Sequence, residues 1–450
     1  MAQLGEAVAR FNGLFESPAY RDLGWANALQ AKMRAERLME SGRLVAPILR
    51  PHFLSKRQHA SLARAAQGLS SVLDQLEPIV LSSPKLMARL QMLPAEKLLA
   101  ALPAGYSRFS VTPLMDAQIH NGSLHFGGVQ AYAPPGVAYA DRLADLFLEL
   151  PITQEFRRNR YKLSKLSESN HLLAAVLKVW KEFGGCTPPN IAIVELKQQF
   201  SSDSNESFHI SKLLMKGGAP VRIVSAEQLE YRGGKLLAGD FSIDVVFRRV
   251  SAQELLVRHD LAHPLLQAYR DHAVCVVNSF RSELAQRRAL FELLTDEKVT
   301  DKLASTDREL IREFVPWTRV VSQTKTRFHD EWIDLPSYIL KNREQFVLRP
   351  NDKTAEQRCF IGRETDDSTW DKAIRSALRS PYVVQEYVPS AHEIFPLYQY
   401  GELHMRQMEV SVHPHTFAGK MQGSSAVLQT ASNGFSSPVA IAPVFIIAEA

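Results

Sequence analysis

Several side chains sit where their type and spacing could support chemistry. Arg248 and Arg249 close the apolar run Ile243-Asp-Val-Val-Phe247. In an open α/β sheet the carboxyl ends of the strands line the ligand crevice. A guanidinium there either grips an anionic substrate or pairs with a nearby acid; Arg249 is the one assigned here to substrate. Arg349 ends another strand-like run, Phe346-Val-Leu-Arg-Pro350, directly before a polar loop, Asn351 to Arg358. Arg288 lies on the narrow polar stripe of an otherwise apolar helix, Ser282 to Leu294, four residues before Glu292. That is the spacing of an intrahelical ion pair. His413 and His415 alternate, so on a strand they would face one side and, with His404 or Glu409, make a metal site. Pro414 between them argues instead for a solvated loop. There is no GxGxxG, GxxxxGKS/T or GxSxG, hence no dinucleotide fingerprint, P-loop or nucleophile elbow.

These residues need a scaffold, and the hydrophobic pattern supplies one. Residues 1–104 read as helices, with apolar spacing over Ala26 to Leu44 and Gln58 to Leu76, broken by prolines at 47, 51, 78, 84 and 94. A hairpin follows. Ser107 to Val111 reads as its first strand, Asn121-Gly122 as its tight turn, and Ser123 to Phe126 as the return, because both central turn positions need positive φ. Helix is expected from about Tyr139 to Phe183. Between 190 and 280, short apolar strands alternate with helices: Ile191–Glu195, Val221–Val224, Ile243–Phe247 and Ala273–Val277. That is the pattern of a mainly parallel sheet buried on both faces. In the last third, Ser368-Thr-Trp-Asp371 opens a helix with Trp370, Ile374 and Ala377 inward. Pro381 to Val388 and Pro443 to Ile447 are strands.

Composition sets outer bounds. The 450 residues carry a net charge of +5, spread along the chain. The densest basic run, Arg157 to Lys165, is interrupted by Tyr161 and Leu163 and reads as a solvated helix face, so no nucleic-acid partner is expected. No apolar stretch approaches a membrane span, and the N-terminus has no secretory pattern. The three cysteines, Cys186, Cys275 and Cys359, read as reduced thiols in a cytoplasmic protein.

The ordered set Pro134–Leu143, Asp244–Arg249, His263–Tyr269, Val276–Arg281, Val315–Arg319, Phe346–Pro350 and Val383–Val388 resembles the circularly permuted ATP-grasp proteins of the glutathionylspermidine synthetase type. The resemblance implies an α/β protein with α+β lobes in a permuted ATP-grasp-like arrangement. It implies an N-terminal helical region (1–104), a hairpin and helices contributing to the core (105–185), a pre-ATP-grasp-like α/β domain (186–300) and ATP-grasp lobes (301–450). It implies ATP between the lobes, with Arg108, Arg288 and Arg349 at cationic positions. Gln385, Glu386 and Val388 fall on the inter-lobe strand that meets the base.

The departures from the family concern metal. Its hairpin reads Arg-Phe-Asp and Glu-x-Asn; here the matching residues are taken as Arg108-Phe109-Ser110 and Gly128-Val129-Gln130. The Gly-rich loop after its Lys-Pro has no glycine between Asn351 and Arg358, and the later Gly-rich segment is replaced by Thr430 to Phe435. Cations persist as arginine while the acids that hold magnesium are lost, so metal binding is disfavoured. Asp116 substitutes for the lost acid only if Pro113 redirects the strand, and Glu409 falls near another family carboxylate. The expectation is a divergent protein without efficient magnesium–ATP ligase activity, binding a small anion or a protein partner. The competing expectation is an active carboxylate–amine ligase that forms an amide or peptide bond through an acyl phosphate.

Overall fold

The computed structural model describes residues 2–158, 160–166, 169–196, 205–352, 358–430 and 438–449. Residues 353–357 of the polar loop after Arg349, and 431–435 of the small-residue segment, lie outside the described residues. Three main sheets organise the rest.

The first sheet is the four-stranded parallel one. Its order is Cys275–Val277, Val245–Arg248, Ile191–Glu195, Val221–Ser225. The apolar runs are continuous because both faces are covered. Ala192, Val194, Val246 and Val276 join one core with Leu255, Leu265 and Tyr269. Ile191, Ile193, Val245, Cys275 and Val277 join the other with Leu172, Val176, Ile210 and Leu214. Each fully buried Val or Ile contributes about 1.5–3 kcal/mol of transfer free energy.

The second sheet has eight strands. Its path runs His52–Ser55, Pro438–Glu449, Lys420–Gln429, Glu402–Phe417, Leu114–His120, Ser123–Gln130, with Ala391–Gln399 added to Glu402–Phe417 and Tyr161–Lys165 to Pro438–Glu449. The long helix Lys56–Leu81 packs against it, with Leu62, Leu69, Leu73 and Leu76 in the same core as Val410, Val412, Ala426 and Leu428. That helix starts on a capping box in which the Ser55 hydroxyl accepts from the Gln58 N–H and the Gln58 side chain accepts from the Ser55 N–H.

The third sheet is small and antiparallel: Thr318–Val320, Tyr382–Glu386, Phe346–Pro350, Phe360–Ile361. The helix Asp367–Ala377 covers it. Trp370, Ile374 and Ala377 are buried as the spacing predicts, and the Trp370 indole donates to the Ile339 carbonyl at 2.9 Å.

Several expectations need correction. The hairpin turn is at Asn121-Gly122, with φ of 49° and 88°, but its first strand is Leu114–His120, not Ser107–Val111. Residues 107–112 form a clamped loop whose donors are met by side chains. Asp74 accepts from the Phe109 N–H, Asn278 Oδ1 from the N–H groups of Val111 and Thr112, and the Ser110 hydroxyl donates to the Ala131 carbonyl. The helix expected over Ala26–Leu44 ends at Ala35, because Arg37, Ser41 and Gly42 take positive φ. Tyr161–Lys165 is a strand inside the stretch expected as helix. The helix expected from Ser282 to Leu294 is broken at Arg287, whose backbone is extended. The helix over 367–377 is capped by Asp366, two residues before the predicted start. Among the described residues no helix is long and apolar enough to cross a membrane.

Candidate functional site

The large and small sheets meet where Arg349, near the end of its small-sheet strand, reaches the hairpin. Its Nη1 donates to the Gly127 carbonyl at 3.4 Å. A Cβ at Gly127 would lie 3.0 Å from that same nitrogen, so glycine is what allows the approach. Arg288 comes to the same place from the broken helix, and its Nη1 donates to the Pro350 carbonyl at 2.6 Å. The break is what aims it. The N–H of Arg288 is accepted by the Asn351 carbonyl and that of Ala289 by Asn351 Oδ1, so a side chain 62 residues away caps the second half of the helix. Glu292, the partner expected for Arg288, instead pairs with Arg89 at 2.7 Å.

The two guanidiniums are under-satisfied. The Nε atoms of Arg288 and Arg349 are closed off from solvent and bond to nothing among the described residues. Burial, and then the charge of Arg349, push the Arg288 pKa down to about 10; the charges of Cys359, Asp116 and Asp352 pull the other way. Two neighbouring guanidiniums with shielded, unused Nε donors form a donor set suited to an anion.

Across from them, the hairpin presents Asp116, opposite Gly128 in register. Gln130 Nε2 donates to Asp116 Oδ1 at 3.3 Å, and His413 Nε2 lies 3.3 Å from the same oxygen. The first hairpin strand begins at Leu114, so Asp116, and not Ser110, lies on it. His413 and His415 are buried on the strand Glu402–Phe417, which continues through Pro414; the solvated-loop expectation fails because this strand lies between two others and Pro414 sits within its ladder. His415 Nε2 is 3.1 Å from the Ser425 hydroxyl. His404 is exposed and bonds Glu402. Among the described residues no three His, Cys, Asp or Glu side chains converge as a metal site.

A cleft of about 1060 Å³ is lined by His125, Trp317, Arg319, His329, Glu386 and Val388, among others. Arg288 and Arg349 are not in its lining; the link is His125, two residues from Gly127 on the same strand, a step of about 7 Å. Glu386 lies 3.4 Å from His329 Nε2. Gln385 turns into the small sheet, where its amide donates to the Thr318 hydroxyl at 3.0 Å and its backbone lies in a strand paired on both sides. Burial lowers the His125 pKa, and its Nδ1 is buried with no partner among the described residues.

The other predicted arginines stand on acids. Arg108 pairs with Asp74 at 2.6 Å. Arg249 pairs at 2.8 Å with Glu206, which is buried. Burial works against the Arg249 charge, but Glu206, Glu195 and Glu40 more than offset it. The structure therefore brings Arg288 and Arg349 together, while Arg108 and Arg249 are each neutralised by a different partner.

Asn351 and Gly127 were missed as site residues. One signal for Asn351 existed: Arg287-Arg288 offers no Ser, Thr, Asp or Asn to cap a helix at Ala289, so the cap had to come from elsewhere. Gly127 carried none, since its need for a small residue comes from Arg349 across the cleft.

No family model matches the sequence, and no curated protein matches it. Solved structures do match in shape. A glutathione synthetase-like effector from Globodera pallida aligns over 94% of this chain and 96% of its own, with a TM-score of 0.59 at 12% identity. A protein assigned as a gamma-glutamylcysteine synthetase from Methylobacillus flagellatus aligns over 82% and 86%, with a TM-score of 0.41 at 12% identity. The chain is therefore a mixed α/β protein whose fold is similar to that of the glutathione synthetase-like effector. At that identity the likeness concerns fold, and function has to be argued from the site.

Proposed function

We propose that this chain is a divergent, circularly permuted ATP-grasp-fold protein whose inter-lobe site holds a small anionic ligand on Arg288 and Arg349 without a carboxylate cage for magnesium. It would act as a ligand-binding or partner subunit rather than an efficient ligase. The hairpin Leu114–Gln130 precedes the parallel sheet in sequence yet lies in the sheet built from the C-terminal strands, which supports the permuted order.

The observation that carries the reading is the half-buried, mutually repelling arginine pair whose Nε donors are shielded from solvent and unused among the described residues. A phosphoryl or carboxylate group fits that donor set. Magnesium fits less well: it needs several oxygen ligands, and Asp116 is already bonded to Gln130 and close to His413. An ATP base would lie in the cleft against the backbone of Glu386 to Val388, as the resemblance implies.

Isothermal titration with ATP and with inorganic pyrophosphate, each with magnesium and with excess chelator, tests the reading. Binding retained in chelator is expected. Binding that vanishes on chelation overturns it.

One observation favours the alternative, an ATP-dependent carboxylate–amine ligase. Asp116 stands on the hairpin across from the arginines, and its charge reaches Arg288. Magnesium-dependent phosphate release in the presence of an amine and a carboxylate substrate would establish that alternative.

A further inference from the structure

The hairpin Leu114–Gln130 carries a second set of unmet polar atoms. Ala117 and Phe126 belong to the core on one face of the large sheet, so their neighbours Asp116, Gln118 and His125 stand on the other face. Gln118 and His125 are directly opposed in the ladder, which sets their Cβ atoms about 4.5–5.5 Å apart. Their face is the one toward the small sheet: His125 lines the cleft together with Glu386, whose charge acts on it. Gln118 Oε1 and His125 Nδ1 are both closed off from solvent and bond to nothing among the described residues. Asp116, on the same face, differs: Gln130 donates to its Oδ1, and His413 Nε2 lies 3.3 Å from that oxygen. Between these two positions the ladder slips by one residue, because Asp116 faces Gly128 while Ala117 faces Phe126. The extra residue is Gly127, whose carbonyl meets Arg349 Nη1 at 3.4 Å. The arginine contact therefore lies about 7 Å along the strand from the unmet pair.

We propose that Gln118 and His125 are the specificity-determining residues of the arginine site, reading a hydroxyl on the ligand whose phosphoryl group Arg288 and Arg349 hold. The ligand class is then a phosphorylated polyol, either a sugar phosphate or the ribose phosphate of a nucleotide. This rests on the anion-site reading for the phosphoryl end and on the unmet pair for the hydroxyl end. A hydroxyl satisfies both atoms at once. Its O–H donates to Gln118 Oε1, and its oxygen accepts from His125 in the tautomer that carries its proton on Nδ1. Burial favours the neutral ring, in which one nitrogen donates and the other accepts. An ammonium group could also reach Gln118, but two guanidiniums on the same side of the hairpin repel it. A bare phosphate leaves Gln118 and His125 unmet, so the site discriminates by what a ligand fails to satisfy as well as by what it bonds.

The test is isothermal titration of the full chain with ribose 5-phosphate and with n-pentyl phosphate, a monoester of equal carbon count that has no hydroxyl. Ribose 5-phosphate is expected to bind about tenfold tighter. Equal affinities overturn the proposal, and that comparison needs no variant. In Gln118→Leu and in His125→Phe the preference should shrink to about threefold or less while n-pentyl phosphate keeps its affinity. A preference that survives both substitutions also overturns the proposal. If ribose 5-phosphate is preferred and Arg349→Gln leaves its affinity unchanged, the anion-site reading falls and the hydroxyl assignment stands. If the two esters bind alike and both weaken in Arg349→Gln, the reverse holds. Binding of neither ester overturns both. AMP then separates the two sources of the same chemistry. An affinity above that of ribose 5-phosphate assigns the site to a nucleotide whose base enters the cleft, and an equal or lower one assigns it to a sugar phosphate.

Discussion

Two pairs of arginines divide the molecule. Arg248 and Arg249, at the end of a parallel strand, are each matched by a buried acid. Arg248 is fully buried and donates to Glu283 at 2.6 Å, to the Val250 carbonyl at 2.8 Å and to the Asn278 carbonyl at 2.9 Å. Arg249 meets Glu206. Arg288 and Arg349, where the large and small sheets meet, feel each other's charge and leave their Nε donors unused among the described residues. The side-chain type is the same, and the difference is whether folding itself supplies the counter-charge. Where it does, the arginine holds structure together. Where it does not, the arginine is the one proposed above to hold an anionic ligand.

The sharpest way to break this contrast is to remove one matched acid. Glu283→Gln leaves Arg248 buried and uncompensated, and should cost about 3–5 kcal/mol in chemical denaturation. A loss below about 1 kcal/mol would mean that the matched pair is not structural.

The matched class also predicts acid sensitivity. Burial alone would raise the Glu393 carboxyl, but His52 and Arg50 together hold it down to about 2, from 4.5. A depressed folded pKa adds stability that is present above about pH 4.5 and lost as pH falls toward 2, here on the order of 3 kcal/mol. Glu393→Gln should flatten that part of the stability–pH profile; an unchanged slope would refute the assignment.

The unmatched pair should behave in the opposite way. Arg349→Gln should leave ligand-free stability unchanged or raised by no more than about 1 kcal/mol, yet weaken pyrophosphate binding about 10–100-fold. A large loss of stability without ligand would place Arg349 in the structural class. Smallest of the four is Gly127→Ala, whose methyl group must push the Arg349 guanidinium back by a few tenths of an ångström. Affinity should fall about threefold with little change in melting temperature; no change in affinity would mean that the contact with Gly127 does not position Arg349.

How much of this was legible depended on where each partner lies. The parallel strands could be read because burial on both faces makes runs such as Ile191–Glu195 continuously apolar. The Asn121-Gly122 turn could be read because its chemistry is local. Leu114–His120 escaped notice although Met115, Ala117 and Ile119 alternate with Asp116, Gln118 and His120, because Ser107–Val111 was taken as the strand that precedes the Asn121-Gly122 turn. The partner of Arg249 lies 43 residues away, so an anion-binding role and a buried ion pair look identical in one dimension. Arg288 was seen as a site residue through family resemblance; its local context pointed to Glu292, which the fold gives to Arg89. His413 and His415 were misjudged because a proline was taken to end a strand that long-range pairing carries through.

Asn351 has a mechanical consequence. Its amide donates to the Leu90 carbonyl, its Oδ1 accepts from the Ala289 N–H, and its own N–H goes to the Pro381 carbonyl. One buried residue thus rivets the small sheet to two other segments at the arginine end. The opposite end is bounded by Pro316 and Pro389 at the cleft rim, and neither ring has an N–H with which to tie down its own backbone. Any displacement of the small sheet would therefore be resisted most strongly at Asn351.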